Sequence, residues 1–192
     1  MLTQVTAKYN PTCINNAGGI SRAWLFDAGD FDFTTGLTPA TYSAVALMAG
    51  ATILAGSGFF PIKFNHLEGE YKATHTQNTN GSNEYAHTVT LQVQILGAEL
   101  TNFMELNQKA SACGLLGIVL ELNNGKIIVI GESIVNGEVK PTFKVRLDGT
   151  ELGSGKAWGD NNGATLSFKG MYNRGAYEFA GGVSAILALE SA

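Results

Sequence analysis

The chain has 192 residues, of which 45% are hydrophobic and 15% charged, and its formal net charge is −4. This composition can bury one sizeable core, so we expect a single domain spanning residues 1–192, in which residues 1–12 form either a first strand or a free N-terminal arm. The acidic balance and the lack of a Lys/Arg cluster argue against a dedicated grip on nucleic acid. The 24 glycines, together with many Thr, Asn, Val and Ile residues, favour strands joined by tight turns.

The N-terminal residues lack a basic region followed by an apolar run, and the stretch from Ala44 to Phe60 is interrupted by three glycines. The sequence therefore predicts neither a secretory signal nor a membrane span, and we expect synthesis in the cytoplasm. Cys13 and Cys113 show no zinc-binding spacing, and we interpret them as free, buried thiols. A disulfide would require an oxidising compartment.

The first clear strand in chain order is Ile20 to Phe26, which follows a Gly-Gly turn and places Trp24 and Phe26 on one face and Leu25 on the other. Three aspartates follow at spacings that lack the ordered run of a calcium loop, so a solvated turn is the preferred interpretation: Asp27, Asp30 and Asp32. The segment from Tyr42 to Leu54 has no clear period and fits either a buried strand pair or a short helix.

The alternation of apolar and polar residues changes phase just before residues 67–96, which carry the longest alternating pattern of the chain. The apolar positions Phe60, Ile62 and Phe64 are even-numbered, whereas Leu67 and Tyr71 are odd-numbered. This change of phase predicts a β-bulge near Asn65 and His66.

Residues 67–96 form two alternating segments around a polar tip and predict one long β-hairpin. With the turn centred on Gly81, the paired positions are Thr74 with Thr88, Lys72 with Thr90, Glu70 with Gln92, and Glu68 with Gln94. One face is then polar and consists of Glu68, Glu70, Lys72, Thr74, Thr88, Thr90, Gln92 and Gln94. The other face is mostly apolar and is predicted to meet the core through Leu67, Tyr71, Val89, Leu91, Val93 and Ile95, with His75 opposite His87 near the tip.

Residues 98–113 predict the one substantial helix, because Leu100, Phe103, Met104 and Ala110 recur at helical spacing. Thr101 is a candidate cap and Gly114 a natural stop. Next, the apolar segments on either side of Asn124-Gly125 predict a second hairpin with a two-residue type I′ turn and with both faces covered.

The last quarter of the chain predicts further strands. Val139 to Leu147 places Phe143, Val145 and Leu147 inward and Lys144 and Arg146 outward. The glycine-rich residues 148–163 are expected to form a loop, whose GSGK letters lack the remainder of a phosphate-binding motif. The segments ATLSFKG, AYEFAGG and VSAILALE are expected to complete the sheet as strands.

The candidate catalytic groups are few. The sequence places no third metal ligand near His75 and His87. Glu68 and Glu70 lie on an open polar face beside Lys72, an environment that does not prepare either carboxylate for acid or base catalysis. We therefore predict a protein that is not an enzyme and that uses no metal or cofactor. The polar face of the hairpin instead suits copies that pair edge to edge around an axis, so that polar positions line a water-filled bore.

The chain resembles the tail tube proteins of long-tailed bacteriophages and the tube protein of type VI secretion systems in the order of its elements. That order is a strand region, a long hairpin with one polar face, a single helix and later hairpins. The segments CINNAGGISRAWLFDAGDF and EGEYKATHTQNTNGSNEYAHTVTLQVQ are also similar to structural proteins from phages of Bacteroidetes. The resemblance implies a mainly β (α+β) fold, a β-sandwich or barrel with one long hairpin and one packed α-helix. It leaves the loop from Leu152 to Gly163 unassigned.

The same resemblance implies a virion protein that forms hexameric rings stacked into a tail tube, with the eight polar hairpin residues lining the bore. Its partners would be copies of itself and other tail proteins, DNA would pass without specific binding, and no membrane would be involved. Two alternatives stay open: another ring, adaptor or decoration protein of the virion, and a monomeric carbohydrate-binding β-sandwich that uses exposed Trp158 and Tyr172.

Overall fold

Two β-sheets and two helices make up the computed structural model, which describes residues 18–37, 40–51, 58–65, 67–94, 97–113, 116–140, 145–154 and 162–191. The strands are β1 (Ile20–Asp27), β2 (Phe31–Thr35), β3 (Thr41–Leu47), β4 (Phe60–Ile62), β5 (Glu70–Gln77), β6 (Asn83–Gln94), β7 (Leu116–Leu122), β8 (Ile127–Ile130), β9 (Ile134–Val135), β10 (Glu138–Val139), β11 (Arg146–Gly153), β12 (Gly163–Tyr172) and β13 (Tyr177–Phe179). The helices are α1 (Ala98–Cys113) and α2 (Val183–Leu187). The predicted mainly β fold with a packed helix is confirmed.

The larger sheet has nine strands in the order β10-β9-β2-β3-β13-β8-β7-β1-β4, and its two faces carry separate apolar clusters. Along β1, Ala23 and Leu25 enter one core cluster while Trp24 and Phe26 enter a second cluster on the opposite face. The second cluster is rich in aromatic rings, with Phe31 and Phe59 stacked at 4.3 Å between centroids. The apolar runs of β7 and β8 reflect this two-sided burial, as predicted for the second hairpin.

The smaller sheet has four antiparallel strands in the order β11-β12-β6-β5. Only one of its faces meets the first core cluster, through Val89 and Leu91 of β6 and Leu166 and Phe168 of β12. All four side chains are at most 2% exposed. The molecule is therefore a two-layer structure in which the four-stranded sheet covers one face of the nine-stranded sheet.

Helix α1 spans the residues predicted for it and packs Leu100, Phe103 and Met104 against the cluster between the sheets. Thr101 is not its cap, because its hydroxyl donates to the Gly97 carbonyl from inside the first turn. Gly114 lies outside the described residues. So do Cys13, residues 1–12 with their predicted strand or arm, and the side chain of Cys113.

The predicted bulge near Asn65 and His66 is wrong, because β4 and β5 belong to different sheets. Between them the chain crosses from one layer to the other, and the turn after Asn65 is held by the Glu68 N–H, which donates to the Asn65 carbonyl at 3.0 Å. The change of alternation marked this change of layer, which a sequence pattern cannot distinguish from a bulge.

Both hairpins have three-residue turns, whereas a two-residue type I′ turn was predicted for the second. Gly125 takes φ +80° and its N–H donates to the Leu122 carbonyl at 2.8 Å, while Gly81 takes φ +83° and donates to Asn78 at 2.9 Å. A type I′ turn would require positive φ at Asn124 as well, which the structure does not show there. Glycine occupies the last turn position because that position needs a left-handed backbone.

Four further predictions need correction or completion. VSAILALE is not a strand, because its first five residues form helix α2, which places Ile186 in the aromatic cluster. Residues 148–153 belong to strand β11 and not to a loop. In the 42–54 segment, β3 continues to Leu47, and residues 52–54 lie outside the described part of the chain. Phe143 and Lys144 also lie outside it, whereas Val145 is buried, Leu147 is half-buried and Arg146 is exposed.

Gly117 provides a test of the two-sided packing of the nine-stranded sheet. A Cβ at this position would overlap the Phe26 ring in the aromatic cluster, so we expect Gly117→Ala to lower the free energy of unfolding by about 1–3 kcal/mol. The matched control is Gly149→Ala on β11, where a Cβ would meet open space. Urea unfolding of the two variants should separate them, and equal stability would contradict the described packing.

Candidate functional site

The candidate site is the solvent-facing side of the four-stranded sheet, which we call the polar face. Strand pairing sets its rows: Lys72 lies beside Thr88, Thr88 beside Lys169, and Lys169 beside Arg146. The next rows align Glu70, Thr90, Ser167 and Gly149, and then Gln92, Thr165 and Glu151. Because side chains alternate across a strand, these residues share one side of the sheet while their neighbours in sequence enter the core.

The hairpin register differs by two residues from the prediction. Glu70 pairs with Thr90, Lys72 with Thr88, and Thr74 with Ala86. The true centre of the hairpin is Asn80, since Gly81 stands in the third turn position. A shift of two residues changes every partner but leaves each side chain on the same face of the sheet.

The structure brings most of the predicted polar residues together. Glu70, Lys72, Thr74, Thr88, Thr90, Gln92 and Gln94 all lie on the strands of the hairpin, and Glu68 lies in the turn before β5, not on a strand. On the core face, Val89 and Leu91 are buried, and Tyr71 and Val93 pack against the cluster between the sheets. Leu67 was wrongly assigned to that face, because it lies in the crossover turn and is 94% exposed. Ile95 lies outside the described residues.

Half of the polar face comes from β11 and β12, which the sequence analysis did not assign to it. The signal was present in β12, where Thr165, Ser167 and Lys169 alternate with buried Leu166 and Phe168. The centre of the polar face consists mainly of hydroxyl and amide side chains on β6 and β12, and most of its charged side chains lie on the outer strands β5 and β11. Both signs occur there, and Lys169 pairs with Asp148 at 2.6 Å. The face is therefore mixed in sign.

A buried polar cluster lies behind this sheet and was not anticipated. Glu132 is 2% exposed, accepts a hydrogen bond from the Tyr42 hydroxyl at 2.6 Å, and forms an ion pair with Arg174. Arg174 also stacks over the Tyr177 ring at 3.7 Å. Burial raises the pKa of Glu132, and the Tyr42 hydroxyl and the Arg174 guanidinium oppose that rise in pKa.

His87 connects the polar cluster to the hairpin. Its Nε2 lies 3.2 Å from the Arg174 carbonyl and its Nδ1 lies 2.9 Å from the Tyr71 hydroxyl. Since a carbonyl can only accept, Nε2 carries the proton. Because burial lowers the pKa of His87 and so favours the neutral ring, Nδ1 is assigned as the acceptor of the Tyr71 hydroxyl. Burial lowers the pKa of His87 and raises the pKa of Tyr71 to about 12.

The cluster has no room for a substrate, because the space beside His87 and Glu132 does not admit a water-sized molecule. The predicted pairing of His75 with His87 is wrong: His75 faces Tyr85, and His87 faces Ala73. Among the described residues, no group of three His, Cys, Asp or Glu side chains is placed to hold a metal ion. Tyr172, expected on the surface as a sugar platform, is 6% exposed and packs edge-on against His87 at 5.2 Å, and Trp158 lies outside the described residues.

A groove of 1010 Å³ runs between the crossover turn and the start of α1. Phe64, Val93, Leu100 and Phe103 give it an apolar lining, which also includes the charged residues Lys63 and Glu99.

Neither described helix is long and apolar enough to cross a membrane.

Comparison with known proteins finds no matching family model, no matching curated protein and no matching solved structure.

The neutral state of His87 predicts a pH dependence of stability. Because the pKa of His87 is lowered in the folded protein, the unfolded chain binds a proton first as the pH falls below about 6.5, and the free energy of unfolding decreases until the folded ring also titrates. The raised pKa of Glu132 acts in the opposite sense. We therefore compare the wild type with His87→Gln, whose amide offers one donor and one acceptor, as the neutral imidazole does, but cannot titrate.

Thermal unfolding between pH 7 and pH 5 should show a larger loss of stability for the wild type than for His87→Gln. Parallel curves for the two proteins would contradict the assignment of a buried, neutral His87.

Proposed function

We propose that this protein is a structural subunit of a bacteriophage tail tube, in which copies of the chain form hexameric rings that stack around a bore for passage of the genome. The observation that supports this proposal most strongly is the four-stranded sheet, which has one face packed on the core, one polar face, and two exposed edge strands. The proposal assigns the chain a role in assembly and not in catalysis.

The direction of the strands allows the sheet to continue from copy to copy. All three pairings within the sheet are antiparallel, so the edge strands β5 and β11 run in opposite directions. In a ring whose copies all point the same way, β5 of one copy therefore meets β11 of the next copy as an antiparallel neighbour. Such head-to-tail contacts close into a ring and remove both edges of the four-stranded sheet.

The dimensions of the closed barrel fit a channel. Six copies supply 24 strands, and a strand spacing of ~4.8 Å with a tilt of about 40° gives roughly 48 Å between opposite backbones. The apolar face of each sheet remains on its own subunit's core, so the polar face turns toward the bore. Its central threonine, serine and glutamine side chains suit a water-filled bore. Of the three cations in the row of Lys72, Lys169 and Arg146, Lys169 is already paired with Asp148, which weakens the attraction of this row for phosphate groups.

The edge of β5 offers a test that leaves the subunit intact. Asn78 N–H bonds to the Ser82 carbonyl, so even-numbered residues of β5 bond toward β6, and odd-numbered residues direct their N–H groups outward. Proline at exposed position 73 therefore removes an outward N–H without breaking the hairpin. We expect the wild type to form rings or tubes in negative-stain images, and Ala73→Pro to remain monomeric.

The control is Ala73→Ser, which keeps the N–H and should assemble like the wild type. Circular dichroism and thermal unfolding establish that both variants are folded. A wild type that stays monomeric at high concentration, or an Ala73→Pro variant that forms normal rings, would overturn the proposed assembly.

A further inference from the structure

The charged side chains on the two edge strands of the four-stranded sheet restrict how neighbouring copies can align. On β5, Lys72 is exposed, and on β11, Arg146 and Glu151 are exposed. Within the described part of the chain, neither Lys72 nor Glu151 belongs to an ion pair. The inference below rests on the proposed ring and concerns the register of its interface.

The size of the stagger between copies follows from the tilt of strands in a barrel. With four strands per copy, staggers of two, four and six residues give tilts of about 19°, 35° and 46°, and barrels fall at 35–45°. An odd stagger is excluded because it would turn the polar side chains of one copy to the opposite face. Four residues is the even value within that range, six residues lies just above it, and neither value depends on the number of copies in the ring. The charges on the two edge strands decide between them.

The sense of the stagger follows from chirality. In a strand of L-amino acids that runs upward, a residue whose side chain faces the viewer directs its N–H and C=O groups to the right. The even-numbered residues of β5 face the viewer when the sheet is seen from the polar face, and they bond to β6. From that side, β6 therefore lies to the right of β5. Seen from outside the barrel, the next copy's β11 therefore lies to the right of β5. Strands coil around a barrel in a right-handed sense. With β5 running upward, a row of hydrogen bonds that leaves β5 to the right therefore reaches the next copy's β11 at a lower level of that copy.

The descent decides which residues meet. Without a stagger, Lys72 would continue its own row and lie beside Arg146 of the next copy, a contact between like charges. A descent of four residues moves the contact two rows along β11, past Gly149 to Glu151. A descent of six would instead place Gly153 beside Lys72.

We infer that neighbouring copies pair β5 with β11 at a four-residue stagger, in which Lys72 of one copy forms an ion pair with Glu151 of the next. The pair lies on the bore side of the interface and neutralises one positive and one negative charge for each copy. It also penalises the unstaggered register, in which Lys72 would face Arg146. The ion pair thus selects the register of the interface more than it stabilises the ring.

Charge reversal tests this pairing. Lys72→Glu and Glu151→Lys should each weaken association about tenfold per interface, because an attraction becomes a repulsion, and the double variant Lys72→Glu/Glu151→Lys should restore it. Sedimentation velocity over a concentration series measures the loss and the rescue. A zero-length carbodiimide crosslink between Lys72 and Glu151 of different copies, identified by mass spectrometry of the wild-type assembly, provides a second readout.

Lys126→Glu is the control, since Lys126 is exposed at the β7–β8 turn of the nine-stranded sheet and does not belong to the four-stranded sheet, and this variant should assemble normally. If rings form but the single reversals assemble like the wild type and no such crosslink is found, the register is wrong while the proposed ring stands. If single reversals weaken assembly and the double variant does not recover, the two residues do not form a pair. If the wild type never associates, both the register and the proposed function fail.

Discussion

The structure depends on the packing of the four-stranded sheet against one face of the nine-stranded sheet. Val89, Leu91, Leu166 and Phe168 enter the same cluster as Leu25, Ile118 and Leu120, and this burial provides most of the force that holds the two layers together. Strand geometry then fixes the other side of the smaller sheet, because the alternate side chains must point away from the core. The polar face is thus a direct consequence of the packing behind it.

The two layers are also joined by polar groups that cannot be exchanged independently. Tyr42 belongs to β3 and Glu132 follows β8, whereas Arg174 follows β12 and His87 belongs to β6. The hydrogen bonds and the ion pair among them therefore connect the nine-stranded sheet with the four-stranded sheet. Losing one member would leave another polar group buried without its partner, which costs more than the hydrogen bond itself contributes.

Alternation in the sequence predicted the side of the hairpin for the residues on β5 and β6, though not for Leu67 and Glu68 before them, and the helix from Ala98 to Cys113 was predicted with its bounds. The hairpin partners were not predicted, because two registers that differ by two residues give the same pattern of faces, and only the conformation of Gly81 distinguishes them. The crossover after β4 was mistaken for a bulge, since both change the phase of alternation. The cluster of Tyr42, Glu132, Arg174 and His87 joins residues distant in sequence and left no local pattern to recognise.

Amide hydrogen exchange in dilute and concentrated protein tests the central claim most directly, namely that copies join through the edges of the four-stranded sheet. The account predicts that peptides covering β5 and β11 gain protection as the concentration rises, while those covering the outer strands β4 and β10 of the nine-stranded sheet do not. Protection that appears at β4 or β10 and not at β5 and β11, or no change at any concentration, would contradict it.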